Sequence, residues 1–177
     1  MHPDLTFRTA TTADAASLVE LVESAYRGDA SRIGWTTEAD LLDGQRLDPE
    51  MAHDLLTGTG IVLLAEEHGR LVACVHLGDE GDGVAHFGLF AVAPDQQGRG
   101  VGVAVIDEAI EECRRRWNAR RVRMTVIRQR DDLIAFYERH GFVRTGKTEP
   151  FPYGDTRFGI PKRDDLEFVE LVRDSPQ

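Results

Sequence analysis

Three glycines alternate at Gly98, Gly100 and Gly102, directly after Gln97 and just ahead of an apolar run. Their spacing leaves the backbone amides of Gln97, Gly98, Arg99, Gly100, Val101, Gly102 and Val103 unshielded by bulky side chains. From Val101 the apolar residues Val105, Ala109 and Cys113 recur at helical intervals, with Ile106 and Ile110 beside them. A helix start presents unpaired N–H groups and the positive end of the helix dipole. Bare amides at that place make a cradle for a phosphate-bearing ligand. What the loop lacks narrows the ligand. No Lys followed by Ser or Thr closes it, as a nucleoside-triphosphate loop requires. Val103 stands where a dinucleotide fingerprint needs its third glycine. The spacing present is Gln-x-x-Gly-x-Gly, carried by Gln97, Gly100 and Gly102. A glycine-rich helix start that holds no ligand is the alternative at this point.

A strand must bring the chain to this loop and a helix must carry it away. Phe90 and Val92 are strand formers, and Pro94 ends the strand because it has no N–H for a ladder. Upstream, residues 5–8 alternate as a short strand. Thr11 or Thr12 then caps a helix with Leu18, Leu21, Val22 and Ala25 as its buried stripe. After a loop, a second helical region runs from Thr36 or Thr37 through Leu41 and Leu42, breaks at Asp43-Gly44 and resumes from Asp48-Pro49 to Leu56. Residues 61–65, 71–77 and 84–92 read as three antiparallel strands, joined by the turn at 67–69 and an acidic glycine turn at 78–83. The long helix spans 98–116. Residues 122–127 then lie parallel to 84–92 through a right-handed crossover. Asp131 or Asp132 caps a short helix to Arg139, and His140-Gly141 ends it. Strands at 142–147 and 166–172 close the sheet around a loop at 150–155. The expected architecture is α/β, a mixed, mostly antiparallel central sheet flanked by helices, in a single domain over residues 1–177.

Composition sets the outer bounds. The chain of 177 residues suits one core. A net charge of −10 argues against nucleic acid as a partner. It favours a cationic acceptor through steering, although solubility explains it equally well. The arginines at 114, 115, 116, 120, 121 and 123 fall at the end of the long helix, where cations complement its dipole. No apolar run approaches the roughly 20 residues that span a bilayer. The first residues lack a secretory pattern. Cys74 and Cys113 sit among apolar neighbours without metal-type spacing, which reads as buried, reduced thiols, no metal and a cytoplasmic setting.

Gln97, Gly100 and Gly102 resemble the acyl-CoA-binding motif of the GNAT N-acetyltransferase superfamily. The order of elements from 5 to 172 is similar to that fold. A second motif, Asp132-Leu133-Ile134-Ala135-Phe136-Tyr137-Glu138-Arg139-His140-Gly141-Phe142, looks like the family's Y-E-x-x-G-F segment. Two departures stand nearby: Arg130 and Leu133 occupy positions where the family often has Asn and Ala. The resemblance implies acetyl-CoA as co-substrate, with its pyrophosphate on the amides of Gln97 to Val103. It implies that Phe90, Ala91 and Val92 pair with the pantetheine arm, with a backbone N–H near Ala91 polarising the thioester. Arg130 is the candidate to reach a coenzyme A phosphate in place of that asparagine, with solvated surface charge as the alternative.

Tyr137 matches the family's general acid; a phenol near pKa 10 can protonate a thiolate whose acid is near 8.5. His86, six residues before Val92, matches a histidine of the serotonin N-acetyltransferase branch that relays the amine's proton. Strand parity puts His86 on the face of Gly88, Phe90 and Val92. The acceptor site of this fold lies between the early helices and the late hairpin. Trp35, Glu38 and Asp40 are its candidates on one side; Phe151, Tyr153 and Asp155 are those on the other. The function implied is direct transfer of acetyl to a primary amine, with a small molecule favoured over a protein or peptide amine. A non-catalytic acyl-CoA-binding module is the alternative from another class. Family members are often dimers, so a homodimer is expected.

Overall fold

In the computed structural model, which describes residues 2, 4–27, 41–155 and 159–176, three antiparallel strands feed the glycine loop. The elements run β1 (Leu5–Thr9), α1 (Ala15–Tyr26), β2 (Leu42–Asp43), α2 (Pro49–Thr57), β3 (Ile61–Glu67), β4 (Arg70–Gly81), β5 (Val84–Val92), α3 (Val101–Trp117), β6 (Arg121–Ile127), α4 (Asp131–Arg139), β7 (Val143–Pro150), β8 (Ile160–Pro161) and β9 (Glu167–Asp174). Seven strands form the main sheet in the order β1-β3-β4-β5-β6-β9-β7. Among the described residues its one parallel pair is β5 with β6, as the crossover through α3 requires.

Local chemistry sets the joints. Ahead of α1, the Thr11 N–H donates to the Asp14 carboxylate at 2.8 Å, closing a turn of 3-10 helix. Asp14 also takes a bidentate pair from Arg8, which ties β1 to α1 and holds the Asp14 carboxyl down at about 2. Asp48 caps α2 by accepting the Met51 N–H at 2.7 Å. The β3–β4 hairpin turns on His68 and Gly69 at φ 51° and 78°, and β4–β5 turns on Asp82 and Gly83 at 55° and 80°. Two successive positive φ angles match the twist of the flanking strands. The acidic stretch expected as a six-residue turn is therefore mostly strand, with β4 running on to Gly81.

Helices cover both faces. On one, Val101, Val105, Ile106, Ala109 and Ile110 of α3 and Ile134 and Tyr137 of α4 pack against Phe87, Phe90, Val75 and Leu77. On the other, Leu18, Val22 and Ala25 of α1 pack with Ala52, Val62, Leu64, Cys74 and Ala91. Leu42, Ile127, Phe151 and Leu166 form a third cluster. Both cysteines are buried free thiols, and burial pushes each up to about 12. Arg114, Arg115 and Arg116 are paired with Glu108, Glu111 and Glu112 on their own helix.

Three boundaries differ from the sequence reading. Leu42 is not helical: it is buried in β2, opposite Pro161 of β8. The rest of that expected helix, 36–40, lies outside the described residues. The long helix begins at Val101, because Gly98 and Gly100 take left-handed angles that a helix cannot use. Pro150 belongs to the end of β7, where it stands opposite Glu167. No helix among the described residues is long and apolar enough to cross a membrane.

Candidate active site

The site is an opening in the sheet. β5 pairs with β6 only at Val84, Ala85 and His86, and beyond His86 the two strands part. On its other side β5 stays paired to β4, but the register slips. Cys74 stands opposite Ala91 while His76 stands opposite Gly88, so β5 carries one extra residue. Leu89 absorbs it at φ 48°, a left-handed angle rare for a leucine. The bulge reverses side-chain parity. Phe87 and Phe90 now share a face, with ring centroids 5.4 Å apart. The expectation that His86 faces the same way as Phe90 and Val92 is thus corrected. His86 looks to the α1–α2 face, its ring over Gly88, where an added Cβ would lie 2.5 Å from Nε2.

The bulge also decides which amides are free. Ala93 donates its N–H to the Val72 carbonyl at 2.8 Å. Alternation along an antiparallel pair then points Ala91 at β4 and turns Phe90 and Val92 towards the opening. The bonds to their carbonyls agree: Val92 accepts from Gln97 Nε2 at 3.0 Å, and Phe90 accepts from the Tyr26 hydroxyl. The candidate donor to a thioester carbonyl accordingly moves from Ala91 to Phe90.

Next to the opening lies a cavity of about 320 Å³. Its walls are Val92, Gln97, Gly98, Gly100, Gly102 and Val103 on one side and Leu133, Phe136, Arg139 and His140 of α4 on the other. The first helical bond of α3 runs from the Ala104 N–H to the Gly100 carbonyl, so the amides of Val101, Gly102 and Val103 precede the ladder. Among the described residues no side chain caps this helix, and its first turn holds no acid. A Cβ at Gly102 would meet Phe90, Phe136 and Val92 at 3.5–3.8 Å, in the floor of the cavity. Uncapped amides, bare glycines and a flanking Arg139 suit a bound pyrophosphate. The residues present fit acetyl-CoA.

A second, smaller cavity of about 60 Å³ occupies the opening itself. It shares Tyr26, Phe90 and Leu133 with the first and adds Arg46, Met124, Phe168 and Tyr137. Tyr137 is buried, its ring 6.3 Å from Phe90 and 5.5 Å from Phe142. The sequence-predicted Tyr137, Phe90, Val92, Gln97 and the glycines are therefore brought together around two joined cavities.

Other candidates are placed elsewhere. The Arg99 side chain turns away, donating to Gln96 Oε1 at 2.5 Å with Glu67 3.8 Å off, and only its backbone belongs to the loop. The Val101 side chain is core, so it too contributes its amide. Arg130 lines neither cavity. It is buried at the start of α4 with Asp132 3.5 Å from its Nε, whereas Arg139, at the end of this nine-residue helix, faces the phosphate cradle. Roughly 13 Å of helix separates the two. Phe151 is packed into the third cluster. The Tyr153 hydroxyl donates to the Arg163 carbonyl at 3.0 Å and accepts the Leu166 N–H at 2.8 Å, so it fastens the late loop. Trp35, Glu38 and Asp40 lie outside the described residues.

His86 is half-buried beside Glu80, 3.7 Å from Nδ1, with the His76 ring 6.0 Å away. Burial chiefly lowers His86 below the usual histidine value, while Glu80 and Glu149 pull it up and Arg123 pushes it down. Burial and His86 together lower His76 to about 4. Both rings are neutral bases at pH 7.

Sequence reasoning missed Tyr26, Arg46, Phe136, Arg139 and His140. The last three sit inside the second motif, but nothing in it shows that the end of α4 packs beside the start of α3. Tyr26 and Arg46 reach the opening by tertiary packing alone.

A family model for the GNAT acetyltransferases matches residues 17–142. The chain belongs to this family. Membership makes it an acyltransferase of the N-acetyltransferase type. No curated protein matches it in sequence. Solved structures share the GNAT fold at low identity. The ribosomal-protein-S18-alanine N-acetyltransferase of Escherichia coli is 16% identical with a TM-score of 0.71, covering 98% of this chain and 95% of its own. An N-acetyltransferase of Staphylococcus aureus is also 16% identical, with a TM-score of 0.70 and coverage of 96% and 97%. A spermidine N-acetyltransferase chimera built on the Vibrio cholerae enzyme gives 16%, 0.68, and coverage of 97% and 96%. These GNAT relatives include one named for a protein acceptor and one named for a small polyamine.

Proposed function

We propose that this GNAT chain transfers acetyl from acetyl-CoA to a primary amine, directly, within a ternary complex. The observation that carries the reading is the uncapped start of α3 opening onto the gap between β5 and β6. The amides of Val101, Gly102 and Val103, with Arg139 beside them, hold the pyrophosphate. The outward-turned edge of β5 at Phe90 and Val92 receives the pantetheine as an added strand. The Phe90 N–H points where the thioester carbonyl lies and stabilises the oxyanion as the amine nitrogen bonds to carbon. The C–S bond then breaks, and Tyr137 protonates the departing thiolate.

The amine's surplus proton leaves on the α1–α2 face. His86 stands four residues up β5 from Phe90, on the order of 10 Å away, so it takes the proton through water. Because burial lowers its pKa, it is available as a base from below pH 6.5 upward. His86→Gln is expected to lower kcat/KM for the amine about 10-fold at pH 7, a modest share of general-base catalysis. An unchanged value at pH 7 takes His86 off the proton path. A small-molecule acceptor is the first to test, with protein and peptide amines beside it.

The test is calorimetric binding of acetyl-CoA followed by turnover over an amine panel, read as thiol release. Binding with amine-dependent release supports the assignment. Binding without release for any amine makes the chain a non-catalytic acyl-CoA-binding module. Absence of binding overturns the reading.

A further inference from the structure

The bulge in β5 is a strained element placed where chemistry needs a fixed amide. A leucine at φ 48° is disfavoured by steric contact with its own carbonyl, so its surroundings must hold it. Three side chains hold carbonyls at and just after the bulge, those of Leu89, Phe90 and Val92. Cys74 Sγ donates to the Leu89 carbonyl at 3.5 Å. The Tyr26 hydroxyl donates to the Phe90 carbonyl. Gln97 Nε2 donates to the Val92 carbonyl at 3.0 Å. Cys74 is a weak donor inside the core, and Gln97 belongs to the loop beyond the strand. Tyr26 is the one that reaches the middle carbonyl from another element. It ends α1, is buried, lines both cavities, and has the Arg46 guanidinium 4.7 Å above its ring.

Phe90 is also the residue whose N–H is turned into the opening. Its carbonyl and its amide leave the strand on the same side, so a bond to the first orients the second. We infer that Tyr26 is a positioning residue: its hydroxyl holds the Phe90 carbonyl so that the Phe90 N–H points at the acyl carbonyl of the bound thioester. This rests on the acetyl-transfer reading above. It gives α1 a part in the reaction although none of its side chains carries a proton there. A carbonyl has two lone pairs, so the Phe90 oxygen can keep the Tyr26 bond and still accept a pantetheine amide.

Tyr26→Phe removes one oxygen and keeps the ring, its packing and the contact with Arg46. The experiment compares wild type and Tyr26→Phe with acetyl-CoA labelled with ¹³C at the thioester carbonyl, recording the bound carbonyl stretch by infrared difference spectroscopy. Acetyl-CoA affinity, the unfolding midpoint and kcat are measured on the same samples. In wild type the bound carbonyl band is expected at lower frequency than in water-free reference solution, the mark of a directed N–H. In the variant most of that shift is lost and kcat falls about 10-fold, the scale of a weakened oxyanion donor. Acetyl-CoA affinity stays within about 2-fold, because the phosphates are held elsewhere. A carbonyl band and a kcat equal to wild type overturn the inference. So does a loss of kcat that merely follows a lower unfolding midpoint or weaker binding, since that is what a packing role gives. Wild type that fails to bind acetyl-CoA defeats the acetyl-transfer reading instead.

Discussion

Gly102→Val is expected to weaken acetyl-CoA binding by about 100-fold, the equivalent of roughly 3 kcal/mol of charge-assisted hydrogen bonds to phosphate. Gly102 lies in the first turn of α3, at an ordinary helical φ, so a side chain costs the backbone nothing there. A Cβ meets Phe90, Phe136 and Val92 at 3.5–3.8 Å, which is normal contact distance, and the helix loses a glycine. Gly102→Ala should accordingly gain up to about 1 kcal/mol of stability, or about 2–4 °C in the unfolding midpoint for a chain of this size. The Cγ atoms of valine go further and occupy the floor of the cradle, between the α3 amides and Phe136. The alanine and valine variants therefore separate two quantities that usually move together: the first relieves the backbone with little bulk added to the cradle, and the second fills the cradle and weakens the cofactor. Titration calorimetry with acetyl-CoA and with CoA checks it, and both ligands should weaken equally because the shared phosphates are displaced. An unchanged affinity for Gly102→Val would place the phosphates away from the start of α3.

Much of this arrangement is legible in the sequence because local signals and tertiary demands coincide. The apolar spacing from Val101 to Cys113 gives α3, and its missing side-chain cap is visible as Gly100 where Ser or Asp would stand. Asp48-Pro49 starts α2 and His140-Gly141 ends α4 for reasons confined to a few residues. The parallel pairing of β5 and β6 follows from chain order and handedness alone. The failures share a different cause. β2 and β8 are two residues each, too short for alternation to show, and Leu42 is strand because Phe151 and Leu166 cover it. The bulge is invisible because Leu89 takes a backbone angle usually reserved for glycine or asparagine. That single residue reversed the parity argument, which placed His86 with Phe90 when the two face opposite ways. It also moved the free amide from Ala91 to Phe90. Tyr26 could not be found from spacing, since 64 residues separate it from the carbonyl it holds.

Tyr137→Phe is expected to lower kcat about 100-fold while acetyl-CoA affinity changes less than about 2-fold. The ring stays where it is because its neighbours hold it: Phe90, Phe136 and Phe142 surround it at centroid distances of 6.3, 5.6 and 5.5 Å. Loss of the hydroxyl therefore costs about 1 kcal/mol of stability or less, the net worth of one hydrogen bond. What it removes is the proton source proposed for the departing thiolate, on a side chain that lines the opening. Without that acid the C–S bond must expel a bare thiolate into a cavity lined by Met124, Leu133 and Phe168 together with the Arg46 guanidinium, so a charge is left where a neutral thiol would form. A solvent deuterium isotope effect on kcat distinguishes this from a change in shape. It should be present in wild type and reduced in Tyr137→Phe, because the variant has no phenolic proton to transfer. The contrast with Gly102→Val is direct: one substitution weakens binding beside a competent reaction centre, and the other leaves the cofactor bound beside a centre without its acid. A Tyr137→Phe protein with full kcat and an undiminished isotope effect would assign the proton to a donor other than Tyr137.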